Sequence, residues 1–438
     1  MTGAVPTSSD ESLWRKASAA GLDRKAFLRL VAVGGSAAAG AALAALPRSS
    51  AAQAPLRLFF KADYPEYFHK PWATELGARW FDFTSYITPI ERFFVRNRYA
   101  SPAVNLATWT LKVHGDAVEN PMEFTYDDLL QLPRRQAIRY FECFGNGRTL
   151  NWEQLGYDVQ GGNWGFGDVS QGEWEYIPIA EILDRVKPRA EARQLLFWSG
   201  LDGPDTGRPM PIADVLARPE VIGLAVGLNG LPLHPDHGFP VRALVPGWGG
   251  AASVKWLTEI RISTKRFWTR MHTKEEAYIG PDYPAEEHGP DDVYLGVTER
   301  DVRGVTGTWL KTKSFLTLPL VMTKSEPPLH YVLEKGEVPT LAAGQQTMRG
   351  YAVSPDGIQK VEYSVDGGQR WQPATLVPPT DLEYAWVRFE FPWDAQPGKH
   401  VLMTRATDKK GEVQPETIPF NELGINCNVI PRFEVEVL

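Results

Sequence analysis

One cysteine in this 438-residue chain lies where it could do metal or redox chemistry. Cys143 follows an apolar run, residues 137–141, and precedes a Gly-Asn-Gly turn at 145–147 and then Arg148. That order predicts a buried strand that ends in a tight loop, with the thiol where the loop begins. A thiol close to a fixed cation ionises more easily, and the thiolate is the form that binds metals or attacks substrates. We therefore hypothesise that Cys143 is a thiolate ligand of a metal.

The residue types leave other roles open for Cys143. The chain has two cysteines, Cys143 and Cys427, so an exported protein could join them in a disulfide or keep an inert buried thiol. Zinc is disfavoured, because there is no CxxC or HxxxH pair and the eight histidines are scattered. A papain-like nucleophile would need partner His and Asn residues, and nothing local indicates them.

A second cluster of polar residues lies between His237 and Lys255. It offers one imidazole, one guanidinium (Arg242) and one ammonium group within 19 positions, interleaved with glycines and prolines. Converging donors and a backbone that permits close approach are suited to the phosphate of a polyanionic cofactor. The segment is neither a Walker loop nor GxGxxG, so it does not indicate a nucleotide. Buried structural charges are the alternative.

Two arginines, Arg96 and Arg98, are spaced to share one face of an extended segment. Both guanidinium groups would then point the same way and could clamp an anion. The alternative is a solvated strand face.

The composition indicates an ordinary globular protein of two domains, or of one large domain with an appendage. Apolar residues make up 43% and charged residues 23%, and the net charge of −7 does not suggest nucleic-acid binding. The 15 tryptophans and 35 prolines favour a loop-rich, mostly β fold.

Residues 1–54 are expected to be a targeting segment. A polar lead precedes Arg24-Lys25, an Ala/Gly-rich apolar run follows at residues 30–46, and Ala52-Gln53-Ala54 is a small-residue cleavage site. The pattern resembles a twin-arginine signal, which predicts export to the periplasm in a folded state. A membrane anchor is the alternative, but the apolar run is short for one.

The elements that would position these residues follow from local patterns. We predict a strand at 109–115, a helix at 124–132 with Thr125 as its cap, an irregular loop at 149–176, a helix at 179–186 and a strand at 195–200. Asn229-Gly230 predicts a hairpin turn. Beyond residue 328, short β-like runs at 347–353, 358–364, 386–391 and 400–406 are separated by turn residues, as in an immunoglobulin-like sandwich.

Taken together, the motifs resemble the sulfite oxidase family of molybdopterin enzymes. The similarity runs from about residue 60 to 438 and rests on five ordered segments: 93–97, 142–148, 200–202, 236–247 and 254–257. It implies an α+β, mostly β fold in which residues 55–327 form a sulfite-oxidase-type molybdopterin domain. Residues 328–438 would then form an immunoglobulin-like dimerisation domain.

The resemblance also implies roles for individual residues. Cys143 would be the protein's thiolate ligand to the molybdenum of a molybdenum–molybdopterin cofactor, and Cys427 a buried free thiol. The pterin and its phosphate would be held by Phe94, Val95, Arg96, Asn97, Arg98, Asp202, His237, Arg242, Ser253, Val254 and Lys255. Arg96 and Arg148 would lie near the substrate and the oxo groups of the metal, with Arg98 and Tyr278 as further catalytic candidates.

Three substitutions set the chain apart from sulfite oxidases. Arg98 replaces a histidine, the tyrosine expected near Thr273 has its nearest counterpart at Tyr278, and Leu423 replaces a substrate arginine. This pattern is closer to the sulfane dehydrogenase molybdenum subunit, which acts on sulfur bound to a carrier protein. Trp248 also resembles that branch.

The expected function is thus oxidation of a reduced sulfur compound, either sulfite or carrier-bound sulfane sulfur. Because the chain has no CxxCH motif for c-type haem, the electrons would pass to a separate c-type cytochrome. The expected assembly is a homodimer or a heteromer with a haem subunit, without nucleic acid. The alternatives are a sulfoxide or nitrate reductase of the same family, or a non-enzymatic secreted binding protein that contains a disulfide.

Overall fold

The structure is a computed structural model that describes residues 75–76, 85–99, 101–162, 165–200, 206–317, 338 and 340–438. The predicted signal segment, residues 1–54, and the predicted cofactor residue Asp202 lie outside the described residues. Among the helices that are described, none has the length and apolar character needed to span a membrane.

Strands dominate the part of the chain before residue 313. In chain order they are β1 (Glu75–Leu76), β2 (Val95–Arg96), β3 (Thr110–His114), β4 (Met122–Thr125), β5 (Arg135–Glu142), β6 (Val169–Pro178), β7 (Gln194–Trp198), β8 (Gly207–Pro211), β9 (Gly223–Leu228), β10 (Leu231–Pro232), β11 (Arg242–Leu244) and β12 (Glu259–Ser263). They are followed by β13 (Phe267–Thr269), β14 (Ala277–Tyr278), β15 (Val293–Leu295) and β16 (Val305–Thr306).

Short helices connect these strands. They are α1 (Tyr126–Leu130), α2 (Thr149–Glu153), α3 (Ile179–Val186) and α4 (Ile212–Ala217), with 3-10 turns at Ile90–Arg92, Pro235–His237, Gly250–Ala252 and Glu299–Asp301 and a π-helical turn at Met271–Glu275. Helix α3 is amphipathic: Ile179, Ile182, Leu183 and Val186 recur at i, i+3, i+4 and i+7, and all four are buried.

Two sheets form the framework of this first part. One has the order β10-β9-β6-β5, with β11 also pairing with β9, and the other has the order β4-β3-β12-β7-β8. Strand β5 is exposed at its start and buried at its end, so it enters the interior as it approaches Cys143. The framework therefore delivers Cys143 to the inside of the molecule.

Two further sheets form the C-terminal part. The strands are β17 (Lys313–Thr317), β18 (Thr340–Leu341), β19 (Gly344–Val353), β20 (Ile358–Ser364), β21 (Gln372–Pro373), β22 (Thr375–Val377), β23 (Val387–Ala395), β24 (Gly398–Asp408) and β25 (Arg432–Val437). They pair as β17-β19-β23-β22 and β18-β25-β24-β20-β21. In β23 every second residue is buried, as expected when one face of a sheet covers a core.

The hydrophobic core of the C-terminal sheets extends to the loop that holds Cys143. Phe144 and Phe166 are each 1% exposed and belong to the same cluster as Phe315 and Trp386. Phe166 lies 4.6 Å from Phe315 between ring centroids. The two parts of the chain thus share a core directly behind Cys143.

Most of the predicted elements are observed. The helix at 179–186, the hairpin at Asn229-Gly230 and the strand that leads to Cys143 are confirmed. The C-terminal runs coincide with strands β19, β20, β23 and β24, except that Trp386 lies just before β23. The mostly β fold class is confirmed, whereas the immunoglobulin-like topology stays a prediction.

Two local predictions were wrong. Residues 149–176 are not one irregular loop, because they contain α2 and most of β6. Strand β6 includes the buried polar residues Ser170 and Gln171, and its position between β5 and β9 is decided by long-range pairing that local sequence does not reveal. The helix predicted at 124–132 is shorter, since β4 continues to Thr125, but Thr125 is its cap as predicted and forms a capping box with Asp128.

Candidate active site

A cavity of about 540 Å³ opens beside Cys143. Residues 93–98, the loop after β5, the segment 250–256 and the π-helical turn all contribute to its walls. The predicted site residues that line it are Phe94, Arg96, Asn97, Arg98, Cys143, Arg148, Arg242, Ser253, Val254 and Lys255. Four stretches that are far apart in sequence therefore meet at one place.

Cys143 lies at the end of β5, where its backbone is fixed. Its N–H donates to the Asp168 carbonyl (2.9 Å), and its Sγ accepts from the Gly145 N–H at 3.4 Å. Both Cys143 and Cys427 are free thiols, so the structure contains no disulfide between them. The predicted free, buried state of Cys427 is confirmed, since that side chain has no exposed surface.

The prediction that a neighbouring cation makes the Cys143 thiol easy to ionise was wrong for the protein alone. Burial and, to a smaller extent, the Asp168 carboxylate raise the pKa of Cys143 to about 12, and Arg96 opposes them only in part. The effect of desolvation on the pKa of Cys143 therefore outweighs the effect of the nearby cation. A bound metal would supply the positive charge that the desolvated thiolate needs, as expected for a ligand rather than for a free nucleophile.

Arg148 is held against the cavity wall by backbone carbonyls. Its Nε donates to the Leu423 carbonyl (2.9 Å) and its Nη1 to the Gly162 carbonyl (3.1 Å). Burial lowers the pKa of Arg148, whereas a charge on Cys143 would raise it. Arg96 is oriented in the same way, with Nη1 donating to the Asn97 carbonyl at 2.8 Å. Both guanidinium groups and the Cys143 thiol thus line one cavity.

Arg98 lines the cavity as well, but a carboxylate balances its charge. Its Nη1 lies 2.8 Å from Glu275 Oε1, and the same oxygen accepts from Arg270 Nε at 3.0 Å. Burial opposes ionisation of Glu275, yet hydrogen bonds and charges from the two arginines hold its pKa below the usual value. The predicted Arg96–Arg98 pair is therefore in place, and the charge of Arg98 is paired with Glu275.

Three of the residues predicted to hold the phosphate, Arg242, Ser253 and Lys255, line the same cavity. Arg242 donates to the His237 carbonyl (3.1 Å) and to the Ser253 carbonyl (2.9 Å). Its guanidinium lies over Phe141 and Trp174, 4.9 and 5.2 Å from the ring centroids. Burial lowers the pKa of Arg242 to about 9, and no carboxylate among the described residues forms an ion pair with it.

Lys255 is held at the cavity wall by two acceptors. Its ammonium group donates to the Asp236 carbonyl at 2.6 Å and to Asn97 Oδ1. His237 is fully buried behind the wall, with its ring edge-on to Phe93 at 5.3 Å, and Val95 is also fully buried. Neither His237 nor Val95 is among the lining residues.

Tyr278 is placed differently from the other candidates. It is not among the lining residues, its hydroxyl accepts from Asn426 Nδ2 at 2.7 Å, and its ring stacks on Tyr283 at 5.1 Å. Thr273 is buried and donates to the Thr269 carbonyl at 3.0 Å. Leu423 does line the cavity, where its carbonyl accepts from Arg148.

Sequence reasoning missed the charged wall formed by the π-helical turn. Lys274, Glu275 and Glu276 all line the cavity. Glu276 lies 3.8 Å from the fully buried Arg208, and burial raises the pKa of Glu276 to about 7 against the effect of that arginine. A Lys-Glu-Glu run usually indicates a solvated turn, so nothing in the local sequence distinguishes it from surface.

Matches to known families cover both parts of the chain. Residues 98–271 match the oxidoreductase molybdopterin binding domain, and residues 328–438 match the Mo-co oxidoreductase dimerisation domain. The chain belongs to the sulfite oxidase family of molybdopterin enzymes. The predicted family, the oxidoreductase class and the molybdenum–molybdopterin cofactor are thereby confirmed.

Individual relatives of the chain include sulfite oxidases and nitrate reductases. Human (Homo sapiens) mitochondrial sulfite oxidase is 29% identical over 369 residues, covering 81% of this chain and 62% of the relative. The NADH nitrate reductase of Ulva prolifera is 28% identical over 374 residues, covering 80% of this chain and 40% of the relative. The chain thus spans less than two thirds of the length of these relatives.

A solved structure supports the fold. The sulfane dehydrogenase SoxCD from Paracoccus pantotrophus superposes with a TM-score of 0.67 at 24% identity, over 84% of this chain and 86% of that chain.

The residues present in this sulfite-oxidase-family cavity fit the cofactor. Arg242 is a buried cation without a carboxylate partner among the described residues, and burying an unpaired charge is unfavourable unless an anion joins it. It shares the cavity with Ser253 and Lys255, so a phosphate there would be met by two cationic side chains. Cys143 offers the soft thiolate. The bound cofactor would supply a metal that exchanges two electrons and an oxygen atom with substrate.

Proposed function

We propose that this chain is a periplasmic molybdopterin oxidoreductase that oxidises a reduced sulfur compound. The observation that supports the proposal is the placement of Cys143, Arg96 and Arg148 in one cavity with a cofactor-sized volume. The two guanidinium groups would bind and orient an anionic or electron-rich sulfur group beside the metal. The electrons from this oxidation would pass to a separate c-type cytochrome.

The charge balance of the cavity favours carrier-bound sulfane sulfur over free sulfite. Glu275 neutralises Arg98, and the apolar Leu423 stands where the family has a substrate arginine. Sulfite is a small dianion and would gain most from several uncompensated cations. A sulfur atom at the end of a carrier segment bears less charge and can draw binding energy from contacts away from the reacting atom.

The experiment is an anaerobic reduction of the oxidised, molybdenum-loaded protein. We would mix it in turn with sulfite and with a carrier peptide that bears a cysteine persulfide, and follow bleaching of the thiolate-to-molybdenum absorption. The persulfide should bleach the band much faster than sulfite. An Arg148→Gln variant is the control, since it should slow both reactions by removing a cation that faces the metal ligand.

The outcomes separate the candidate substrates. Rapid bleaching by sulfite alone would instead identify a sulfite dehydrogenase. No bleaching by either sulfur compound, in protein that dithionite can bleach, would refute sulfur oxidation.

A reductase is the second candidate, because nitrate reductases are among the relatives. It would be recognised by reoxidation of the dithionite-reduced protein with nitrate or a sulfoxide. We expect reoxidation by ferricytochrome c and none by nitrate, and the reverse result would establish the second candidate.

We further propose that the chain is exported and assembles as a homodimer or with a haem subunit. Support comes from the signal-like residues 1–54 and from the match of residues 328–438 to a dimerisation domain. Periplasmic fractionation with and without Arg24→Lys, and light scattering of the purified protein, test these two points. Cytoplasmic retention of the unchanged protein would exclude export, and a monomer mass would exclude a homodimer.

A further inference from the structure

A buried ion pair connects the C-terminal sheets, β17–β25, to the residue that precedes the metal ligand. Lys313 begins β17, and its Nζ lies 2.9 Å from Glu142 Oε1; neither side chain has any exposed surface. Glu142 is the last residue of β5, immediately before Cys143. The same Oε1 accepts from Asn146 Nδ2 at 2.8 Å, so the carboxylate holds both ends of the Cys143 loop.

The backbone of Cys143 belongs to the same network. Asn146 Oδ1 accepts from the Asp168 N–H (3.1 Å), while the Asp168 carbonyl accepts from the Cys143 N–H (2.9 Å). The Cys143 carbonyl in turn accepts from the Asn146 N–H at 2.9 Å. A shift of the Glu142 carboxylate would therefore be transmitted through Asn146 to the residue that bears the thiol.

The residue that follows Cys143 is also held by the C-terminal part. The Phe144 carbonyl accepts from the Asn426 N–H (2.6 Å), and the Phe144 ring is buried in the core of the C-terminal sheets. Asn426 Oδ1 accepts from the Lys311 N–H at 3.2 Å. Residues 142 and 144 are thus both fixed from the same side, which leaves Cys143 little freedom to turn.

Stability alone is a weak reason for such a pair. Removing two charges from water is costly, and an apolar pair of similar volume is often as stable. What an ion pair adds is a defined geometry. We propose that Lys313 is a positioning residue: through Glu142 it sets the direction in which Cys143 presents its sulfur to the cavity. This proposal rests on the metal-ligand role of Cys143 given above.

The test compares three variants with the wild type. Lys313→Met removes the cation, and Glu142→Gln/Lys313→Met removes both charges so that no unpaired ion is left to unfold the protein. Lys311→Met is the matched control, because it deletes a lysine two residues earlier whose ammonium lies 5.1 Å from the Tyr278 ring and makes no ion pair among the described residues.

The first readout uses cofactor-free protein and needs no turnover. Cys143 would be labelled with a thiol reagent, and the rate of labelling would be followed by peptide mapping. The buried Cys427 would serve as the internal reference. We expect labelling of Cys143 to be about tenfold faster in the double variant, because the loop opens more often, with an unfolding free energy close to that of the wild type. Lys311→Met should label at the wild-type rate.

The second readout is the thiolate-to-molybdenum absorption of the loaded protein. A displaced or weakened band in the double variant, with Lys311→Met unchanged, would support the positioning role. A wild-type labelling rate and band in the double variant would overturn it. If the wild-type protein itself shows no such band, the metal-ligand assignment has failed, and the labelling rates still decide whether Lys313 positions the loop.

Discussion

Replacing Arg242 with Met should distinguish two roles of a buried arginine, namely stabilising the folded protein and binding the cofactor. In the cofactor-free protein its guanidinium is fully buried, and burial lowers its pKa from 12.5 to about 9. At about 1.36 kcal/mol per pKa unit, this shift corresponds to roughly 5 kcal/mol of unfavourable desolvation. Because the folded-state pKa is depressed, the full penalty applies below pH 9 and declines as the pH rises towards 12.5.

The same side chain also stabilises its surroundings. It donates to the His237 and Ser253 carbonyls, and two hydrogen bonds from a charged donor contribute roughly 4 kcal/mol. The two terms nearly cancel, so we expect Arg242→Met to change the unfolding free energy of cofactor-free protein by less than about 2 kcal/mol. Cofactor affinity should fall much more, by about 2–5 kcal/mol, since an anionic group would lose its buried partner.

Arg208→Met is the matched control for this prediction. Arg208 is also fully buried, but it faces Glu276 at 3.8 Å, so its loss would leave a carboxylate unpaired. At pH 8 we expect this variant to be destabilised by about 3–5 kcal/mol. Urea unfolding of the cofactor-free proteins and the molybdenum content of the purified ones are the measurements. Full molybdenum occupancy in Arg242→Met, or equal destabilisation of both variants, would refute the reasoning.

Two further predictions concern the cavity. Cys143→Ser should abolish the thiolate-to-molybdenum absorption and turnover while the circular dichroism spectrum stays native, because only one ligand is changed; turnover at the wild-type rate would reject the assignment. Glu276→Gln should become more stable relative to the wild type as the pH rises. The pKa of Glu276 is raised from 4.5 to about 7, so the folded wild type loses stability between these values, by up to roughly 3 kcal/mol between pH 5 and 8. Unfolding curves at pH 5, 6, 7 and 8 would show this, and a constant difference would contradict it.

Short-range signals were enough to locate the proposed metal ligand, Cys143, and most of the elements around it. The strand into Cys143 is an apolar run that ends in a Gly-Asn-Gly turn, and helix α3 repeats its apolar residues every three or four positions. Both patterns depend on neighbours within a few residues of each other, which is why they can be recognised in the linear chain. The cluster from His237 to Lys255 was recognisable for the same reason.

Other features depend on residues that are far apart. Glu275 meets Arg98 across 177 positions, and the pairing neutralises a charge that local spacing assigned to anion binding. Tyr278 was chosen for its place in the chain, but its hydroxyl accepts from Asn426 instead of lining the cavity. Packing, rather than spacing, decides which charges remain uncompensated.

The thiol itself shows the contrast most clearly. The residues around Cys143 predict a metal ligand, and the family matches agree with the cofactor. Its protonation and its direction follow from burial and from a carboxylate–lysine pair whose members are 171 positions apart in the chain. Residue identity thus sets the available chemistry, whereas the low-polarity interior and the long-range contacts set the charge and the geometry with which that chemistry is presented.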